Sequence, residues 1–599
     1  MEEFLDKLRV LQYRALMLVQ HFGTRFNNTV NTITVLLAVL GIGNVAWQIG
    51  FPVPDGALDW MIGLNRFIII FFGLVPIVHA ITSLITTRHM SLWQLAYIAA
   101  VWAFIANDDG SGWMSHRYVI DAVVVVLSIY ELSSLSIPVL TRKSSPTTLF
   151  AGSFILFILV GAGLLLMPRC HYDDLSFLDA VFTSTSAVCV VGLSVFDIGN
   201  EFTPFGQTIV LLLIQVGGLG VMTFTCFFAM TLMGKGSLQN RIIIKDLISA
   251  DNMSDIFTTL KHIMYVTFII EGISAWVLYY QFREALPGSP IQDIVFTAVF
   301  HSISAFCNAG ISNLPNGLTN HAIIGCHGIH MVIAVTLIFG GAGFPLQSAA
   351  INWTKYHVGN FFRRLLGRKI SRSNMPRMIS ASNRLVFYTH ILLLLIGTLI
   401  FFFIEIFYSN DDRSVGILFA DSFFLSATSR TAGFMYGDII YTQGPSFVVF
   451  LVLMCIGCAP MSTGGGMKVT TFALCVLNLR NTLLGRDNIE IFGRRVSQSS
   501  VNKAFAIVIL QVAAIMLSTM ALKIAMPGTE INKLMFESVS ALSTVGLSMD
   551  LTPTLNTAGR IIVMADMFIG RIGVMAFMLM FVTPKPPLRI KYPSENIMV

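Results

Sequence analysis

The sequence predicts an all-α membrane protein with four pseudo-symmetric helix–pore loop–helix repeats around one pore, preceded by about four extra transmembrane helices. The chain of 599 residues is 55% hydrophobic and only 12% charged, about half the charged fraction of a soluble protein. Its mean hydropathy is +0.75. In addition, four short segments that end near a glycine recur at long intervals. We therefore expect a multi-pass protein of the plasma (inner) membrane.

The first part of the chain, 1–145, precedes the repeats and contains four apolar stretches. They are 31–50, 66–86, 91–106 and 118–140. Stretches of roughly 20 apolar residues are long enough to cross a bilayer, and the third stretch is the shortest of the four. None carries an arginine at every third position, so a voltage-sensing helix is not predicted. We interpret this extension as a packing or assembly layer.

The recurring segments align without gaps on a glycine. They read AVFTSTSAVCVVGL (180–193), AVFHSISAFCNAGI (298–311), SFFLSATSRTAGFM (422–435) and LMFESVSALSTVGL (534–547). A phenylalanine lies ten residues before each glycine, namely Phe182, Phe300, Phe423 and Phe536. A small or hydroxylated residue lies six residues before it, namely Ser186, Ser304, Ala427 and Ser540. Four such matches in order indicate a repeated unit whose period is far longer than that of a solenoid.

Each segment is too short to span a bilayer and lies between two stretches that are long enough. The flanking pairs are 150–167 and 208–233, 263–280 and 323–344, 385–407 and 447–479, and 504–526 and 561–581. The repeats accordingly occupy 146–250, 251–375, 376–495 and 496–599. Irregular backbone at membrane depth is tolerated only where protein buries it or where it lines a water-filled path. Four equivalent loops therefore predict one shared path.

The distribution of basic residues predicts the orientation in the membrane. Lysine and arginine concentrate in the connections between repeats, for example in 355–377, whereas the loops beside the four segments are acidic or nearly neutral. We expect these connections and both termini to lie in the cytoplasm. The glycine-bearing loops would then open from the outside.

The four loops suit a monovalent cation. Rings of backbone carbonyls can replace the hydration shell of potassium, and glycine permits both positive φ and a close approach of the backbone. The short helix before each loop would direct its partially negative C-terminal end at the shared axis. The acidic residues Asp179, Asp293 and Asp421, expected near the helix starts, fit that polarity or act as N-terminal caps.

The apolar stretch 447–479 is interrupted in its middle. The break contains Gly457, Pro460, Gly464, Gly465 and Gly466, and the helix is expected to resume at Val469. Broken backbone is costly in hydrocarbon and tolerable beside water, so we interpret 457–466 as an intramembrane gating loop below the glycine loops. Ser462, Thr463 and Lys468 could form hydrogen bonds across it. A nucleotide site is disfavoured because the Gly-Lys-Ser/Thr ending is missing.

Arg571 lies inside the span 561–581. A charged side chain there costs at least ~2.5 kcal/mol on insertion scales and usually marks an ion pathway. We interpret Arg571 as an electrostatic barrier below the loops or as an anchor for 457–466; the alternative is an arginine that snorkels to the interface. Asp566 is a poor partner, because five residues along a helix place the two on different faces.

Histidine and cysteine residues offer little chemistry. His301 leaves open a pH-sensing role, but a hydrogen-bonded core histidine is favoured. Cys170 and Cys326 lie near the outer ends of their segments, and a disulfide between them depends on geometry that the sequence does not contain. No cluster has transition-metal spacing, and no nucleophile–base pair is evident. We therefore expect no enzyme activity and no cofactor in this chain.

Several of these segments resemble a known family. TSAVCVVGL, SAFCNAGI, ATSRTAGF and SALSTVGLS resemble the four filter loops of the Trk/Ktr/HKT superfamily of potassium transporters. CAPMSTGGGMKVTTF (458–472) resembles the intramembrane loop in the third repeat of Trk and Ktr subunits, and IGRIG (569–573) resembles their final helix with its pore-facing arginine. The resemblance covers about 150–582. It implies a Trk/Ktr-type bacterial membrane subunit with an N-terminal extension, and leaves open which of the two types.

The resemblance also implies the site residues. Potassium would bind to the filter backbone of Cys189, Val190, Val191, Gly192, Cys307, Asn308, Ala309, Gly310, Arg430, Thr431, Ala432, Gly433, Ser543, Thr544, Val545 and Gly546. The gate would comprise Gly464, Gly465, Gly466, Lys468 and Arg571. Glycine in all four loops resembles the potassium-selective pattern, whereas sodium-favouring plant relatives have serine in the first loop.

The function implied by the resemblance is potassium uptake across the plasma membrane through a selective, gated ion-conducting pore. The usual assembly is a homodimer with cytosolic nucleotide-binding RCK regulatory subunits, and no nucleic acid. The basic connection 355–377 fits either that partner or anionic membrane lipid. Two other functions stay open: a potassium symporter coupled to protons or sodium, and the ion-conducting subunit of an ATP-driven potassium pump.

Overall fold

The computed structural model describes residues 29–86, 99, 101–102, 105, 116–140, 146–220, 256–365, 380–408, 414–435, 444–486 and 488–582. These residues are mostly helical. Five of their helices are long and apolar enough to cross a membrane, and the shorter helices are also apolar. A multi-pass membrane protein is the architecture that these helices fit.

Three helices belong to the N-terminal extension: α1 (Thr29–Gly50), α2 (Asp55–Thr86) and α3 (Arg117–Leu140). They cover the stretches predicted at 31–50, 66–86 and 118–140, although α2 begins earlier than expected. The stretch 91–106 lies almost entirely outside the described residues. Asn65 joins the three helices, because it accepts a hydrogen bond from Asn44 at 2.8 Å and donates one to Asp121 at 2.7 Å. Such polar side chains hold helices together in membranes.

The remaining helices fall into four groups, which we call units one to four. Unit one contains α4 (Pro146–Leu165), α5 (Phe177–Cys189), α6 (Ile198–Glu201) and α7 (Pro204–Leu219). Unit two contains α8 (Ile256–Ala285), α9 (Ile291–Cys307), α10 (His327–Gly341) and α11 (Phe344–Leu365). Unit three contains α12 (Ala381–Tyr408), α13 (Val415–Thr428), α14 (Pro445–Cys455) and α15 (Val469–Leu483). Unit four contains α16 (Gln498–Ala525), α17 (Ile531–Leu542), α18 (Thr557–Ile572) and α19 (Val574–Leu579).

Two short strands, β1 (Glu490–Ile491) and β2 (Arg494–Arg495), form an antiparallel hairpin between units three and four. Single 3-10 turns lie at Gly317–Thr319 and Thr552–Thr554.

In each unit one helix of 12 to 17 residues directly precedes the recurring glycine. These four helices are α5, α9, α13 and α17, and we call them the short helices. At about 1.5 Å per residue each is shorter than the ~30 Å hydrocarbon core. Asp179 and Asp293 lie in the first turns of α5 and α9, as predicted. The prediction for Asp421 is wrong, because the apolar run before it extends α13 back to Val415.

In units one, two and four, a helix that follows the short helix ends or breaks at a glycine. Gly220 ends α7, Gly343 separates α10 from α11, and Gly573 separates α18 from α19, all with positive φ. The span predicted as continuous at 561–581 is therefore interrupted, whereas the span predicted at 323–344 corresponds to α10 and ends at the break. A left-handed glycine ends a helix because it lets the last carbonyls find other partners. In unit three the interruption is longer, from the end of α14 at Cys455 to the start of α15 at Val469, as predicted.

Candidate functional site

The loops that follow the short helices share an unusual backbone. Their glycines have φ of 100° at Gly192, 65° at Gly310, 76° at Gly433 and 92° at Gly546. Two residues earlier, non-glycine residues also have positive φ: 55° at Val190, 59° at Asn308, 65° at Thr431 and 52° at Thr544. Left-handed backbone is uncommon outside glycine. The sequence indicated this conformation at the glycines only, and no residue type marked the earlier position.

Hydrogen bonds at the ends of the short helices produce that left-handed residue. In unit one the amide of Val190 donates to the carbonyl of Ala187 at 3.2 Å, and the amide of Val191 donates to Ser186 at 2.9 Å. The same pair recurs in units two and four, with lengths from 2.8 to 3.1 Å. This pattern ends a helix with one left-handed residue. It turns the chain directly from the helix into the glycine loop.

Hydroxyl groups near the ends of the short helices hold the glycine loops. Ser186 accepts a hydrogen bond from the amide of Gly192 at 3.1 Å, and Ser540 accepts one from Gly546 at 3.0 Å. Ser304 donates to the carbonyl of Ile311 at 2.6 Å.

Unit three departs from the alignment predicted by sequence. Thr428, not Ala427, supplies the hydroxyl and donates to Phe434 at 2.8 Å. The backbone carbonyl of Thr428 accepts a hydrogen bond from the amide of Ala432, at 3.1 Å. The ungapped alignment is therefore wrong by one residue in α13, because the turn after this helix is one residue tighter.

The four glycines lie around one axis in chain order. A Cβ atom on Gly192 would collide with the carbonyl oxygen of Ala309, and one on Gly310 would collide with that of Ala432. A Cβ atom on Gly433 would meet the oxygen of Val545, and one on Gly546 would meet that of Val191. The residue before each glycine thus presents its carbonyl to the glycine of the preceding unit, and the last contact closes the ring. No side chain larger than hydrogen fits at these four positions without displacement.

Arg430, one of the filter residues suggested by the sequence, makes contacts outside the ring of glycine loops. The carbonyl oxygen of Arg430 accepts a hydrogen bond from the thiol of Cys458 at 3.4 Å. The side chain of Arg430 is buried, donating to the carbonyl of His390 at 3.1 Å and to that of Gly457 at 3.3 Å. Arg430 therefore links its loop both to α12 and to the break in unit three. The sequence offered only one hint of this role, a charged residue within an apolar region.

The break in unit three forms a closed loop, residues 456–468, which we call the intramembrane loop. Its ends are joined by a hydrogen bond from the amide of Gly457 to the carbonyl of Met467 at 2.9 Å. Lys468 donates to the carbonyl of Gly464 at 2.8 Å, and Ser462 donates to Ala459 at 2.6 Å. These bonds satisfy backbone groups that the broken helix would otherwise leave unpaired.

The intramembrane loop packs against the start of the glycine loops. The amide of Gly465 donates to the hydroxyl of Thr544 at 2.9 Å, and the thiol of Cys458 lies 2.8 Å from the hydroxyl of Thr431. Added Cβ atoms on Gly464 and Gly465 would collide with these two threonine side chains. The glycines at these positions therefore permit the close approach.

Arg571 anchors the intramembrane loop. Its guanidinium donates to the carbonyl oxygen of Thr463 in that loop and to the carbonyl oxygen of Gly217 at the end of α7. Asp566 is not its partner, because this carboxylate accepts a hydrogen bond from Ser518. Arg571 thus connects units four, three and one at the start of the glycine loops. This arrangement fits the anchor interpretation.

The remaining residues from the sequence analysis have structural partners. The ring of His301 contacts the carbonyl of Thr297 at 2.8 Å and the hydroxyl of Ser312 at 2.9 Å, as expected for a hydrogen-bonded core histidine. Cys170 and Cys326 are free thiols, so the disulfide does not form. Among the described residues, no three His, Cys, Asp or Glu side chains are grouped as metal ligands.

The chain is similar to known proteins. Residues 117–590 match the TrkH family model, described as a cation transport protein. The chain is 33% identical over 459 residues to the Ktr system potassium uptake protein B of Bacillus subtilis, covering 76% of this chain and 97% of that protein. It is 31% identical over 473 residues to the potassium/sodium uptake protein NtpJ of Enterococcus hirae, covering 76% and 98%.

A solved structure agrees with this assignment. The crystal structure of the potassium transporter TrkH from Vibrio parahaemolyticus matches with a TM-score of 0.58 at 16% identity, over 87% of this chain and 98% of that chain. At that identity the match demonstrates a shared fold. Together with the family model, which covers most of the sequence, it leads to one conclusion: this chain belongs to the TrkH family of cation transport proteins.

Proposed function

We propose that this chain takes up potassium across the plasma membrane through a selective, gated pore formed by its four glycine loops. The observation that carries the proposal is the closed ring in which each glycine faces the carbonyl oxygen of the next loop. Carbonyl rings of this kind replace the hydration shell of potassium. The relatives named as potassium uptake proteins support the same substrate.

The pore would be built from four pseudo-symmetric repeats, 146–250, 251–375, 376–495 and 496–599, with 1–145 packed outside them. The basic connections support an orientation in which both termini are cytoplasmic and the glycine loops open outward. The filter would be the backbone of 189–192, 307–310, 430–433 and 543–546. In this filter the residue before each glycine would contribute its carbonyl to the ring. Arg430 would instead link its loop to α12 and to the intramembrane loop.

The gate would be the intramembrane loop. Its glycines lie against Thr431 and Thr544 at the start of the glycine loops, and Arg571 holds it there. With the loop in this position the path below the filter is narrowed. Release of the loop from Arg571 and Thr544 would open the path without moving the filter glycines.

The expected assembly is a homodimer that works with cytosolic nucleotide-binding regulatory subunits. The word "system" in the names of the Ktr relatives supports a complex of several proteins. Arg363 and Arg364 lie in the last turn of α11, so the connection 355–377 could bind such a subunit or anionic lipid. The chain would act as a transporter without catalytic residues or a cofactor, and potassium would be its substrate.

Sodium is the second candidate, as a coupled ion or a second substrate. The observation that favours it is the relative named as a potassium/sodium uptake protein. A subunit of an ATP-driven potassium pump remains a third function consistent with the same pore.

The test is ion flux into liposomes that contain the purified chain, with potassium, rubidium, sodium and lithium compared. Potassium and rubidium should enter down their gradients, and Gly192→Ser should weaken the preference over sodium. Sodium flux equal to potassium flux in the unaltered protein would contradict a potassium-selective filter. Potassium uptake against its own gradient, driven by a sodium or proton gradient, would establish the symporter instead.

A further inference from the structure

Behind two of the four glycine loops, a buried polar side chain of the short helix binds the extended segment that follows the glycine. In unit four this residue is Glu537, nine residues before Gly546, and in unit two it is His301, nine residues before Gly310. Both side chains are fully buried. Each contacts the serine two residues after its glycine, Ser548 or Ser312.

The bonds in unit four involve both carboxylate oxygens. Ser548 donates to Oε2 of Glu537 at 2.8 Å, and Thr552 donates to Oε1. The hydroxyl of Ser548 in turn accepts from the amide of Leu551 at 3.2 Å. The carboxylate of Glu537 therefore fixes the segment after Gly546 and the turn that follows it.

The bonds in unit two have the same direction. Nδ1 of His301 lies 2.8 Å from the carbonyl of Thr297, which only accepts, so Nδ1 carries the proton. In the neutral imidazole, Nε2 is then the acceptor for the hydroxyl of Ser312, 2.9 Å away, and this hydroxyl also accepts from the amide of Leu314 at 3.1 Å. The imidazole also stacks on the ring of Phe434, just after Gly433, with ring centroids 6.2 Å apart.

Units one and three lack this contact. In unit one, Thr183 occupies the equivalent position, and its hydroxyl has no hydrogen-bond partner among the described residues. Ser194, the matching serine, donates instead to the carbonyl of Phe196 at 2.5 Å. Unit three has the apolar residues Phe424 and Leu425 at this level of α13. We call the contact of Glu537 with Ser548 and that of His301 with Ser312 the two braces. Because the units follow one another around the ring, the two loops that they hold lie opposite each other.

We propose that Glu537 and His301 are positioning residues that determine the cation selectivity of the four-loop ring. Glu537 holds the segment after Gly546 through Ser548, and His301 holds the segment after Gly310 through Ser312. Neither side chain needs to touch the ion. We take the preference of a carbonyl ring for potassium to depend on how far its oxygens lie from the axis. The braces limit the outward movement of two opposite segments. This inference rests on the proposed function.

The experiment measures potassium, rubidium and sodium fluxes into liposomes for Glu537→Leu and Ser548→Ala, which remove the same bond from opposite sides. A hydrogen bond contributes about 0.5–1.5 kcal/mol net, so we expect each variant to lower the potassium-to-sodium flux ratio by roughly two- to tenfold. Potassium flux itself should persist. The double variant should lower the ratio by less than the product of the two single effects, because both changes remove the bond between Glu537 and Ser548.

Unit one supplies the matched controls. Thr183→Val and Ser194→Ala change the equivalent positions of unit one, where these two side chains are not hydrogen-bonded to each other. Both variants should keep the potassium-to-sodium flux ratio of the unaltered protein. His301→Leu and Ser312→Ala repeat the test in unit two, and decide the question if Glu537→Leu does not fold.

The inference is overturned if Ser548→Ala and Ser312→Ala conduct potassium with a ratio within about 1.5-fold of the unaltered protein. It is also overturned if the unit-one controls lower the ratio as much as the unit-four variants. Failure of the proposed function gives a different result, which is sodium flux equal to potassium flux in the unaltered protein. That result is measured before any variant is compared.

Discussion

The guanidinium of Arg571 donates a hydrogen bond to the carbonyl oxygen of Thr463, which joins α18 to the intramembrane loop. The same side chain binds the carbonyl of Gly217 in unit one. A single cation therefore holds the loop against the start of the glycine loops and fixes its position relative to two other units. Its removal should affect the gate before it affects the filter.

Arg571→Gln should raise potassium flux in liposomes without any cytosolic partner. Hydrogen bonds to a charged group contribute about 1.5–3 kcal/mol, so loss of this anchor should favour the open loop by about tenfold or more. Arg571→Lys separates the two interpretations, because it keeps the charge but lacks the forked donors that reach two carbonyls. Increased flux in both variants indicates an anchor, and increased flux in Gln alone indicates an electrostatic barrier. An unchanged flux in the Gln variant contradicts both roles.

Gly192→Ala should reduce selectivity for potassium over sodium. The added methyl group would collide with the carbonyl of Ala309, and φ of 100° is itself unfavourable for alanine. The flux ratio of the two ions is the measurement. Gly272→Ala is the control, because a Cβ atom at Gly272 has open space around it. Unchanged selectivity in Gly192→Ala would show that the ring tolerates a side chain and that its contacts are not needed for ion recognition.

Arg560→Gln should lower thermal stability, with little change in ion preference. Arg560 forms an ion pair with Asp179, which ties α18 to the first turn of α5, and both side chains are about one-fifth exposed. Partly exposed pairs contribute about 1 kcal/mol or less, and salt screens them. The melting temperature in detergent, measured at low and high salt, tests this. The exchange Asp179→Arg with Arg560→Asp should recover part of the loss, and no recovery would argue against a direct pair.

Asn65→Leu should destabilise the N-terminal extension, because Asn65 links α1 to α3 through Asn44 and Asp121. Interhelical hydrogen bonds in membranes average about 0.6 kcal/mol each, so a loss of about 1 kcal/mol is expected. Phe67→Leu on the same helix is the control, since this side chain is 55% exposed. Thermal unfolding of both variants is the measurement. Equal stability in the two would mean that apolar packing alone holds the three helices.

Sequence reasoning located the elements of the site better than their contacts. Hydropathy gave most of the membrane helices, and the recurring segments gave the four glycines. Sequence reasoning misplaced Asp421 relative to the start of α13, aligned Ala427 where Thr428 supplies the hydroxyl, and treated the interrupted helix at 561–581 as continuous. Each error concerns a helix end or a turn, and a sequence pattern locates a helix more securely than its ends.

What the sequence determined by itself is the set of segments that must lie in the membrane and the four backbone positions that must be glycine. Both follow from strong local constraints, the cost of polar backbone in hydrocarbon and the conformational freedom of a residue without Cβ. Only the tertiary structure decided which loop faces which, which carbonyls Arg571 binds, and that Glu537 and His301 stand behind opposite loops. Arg571 and Thr463 are 108 residues apart in the chain, and such a contact depends on the packing of whole units, which no local pattern encodes.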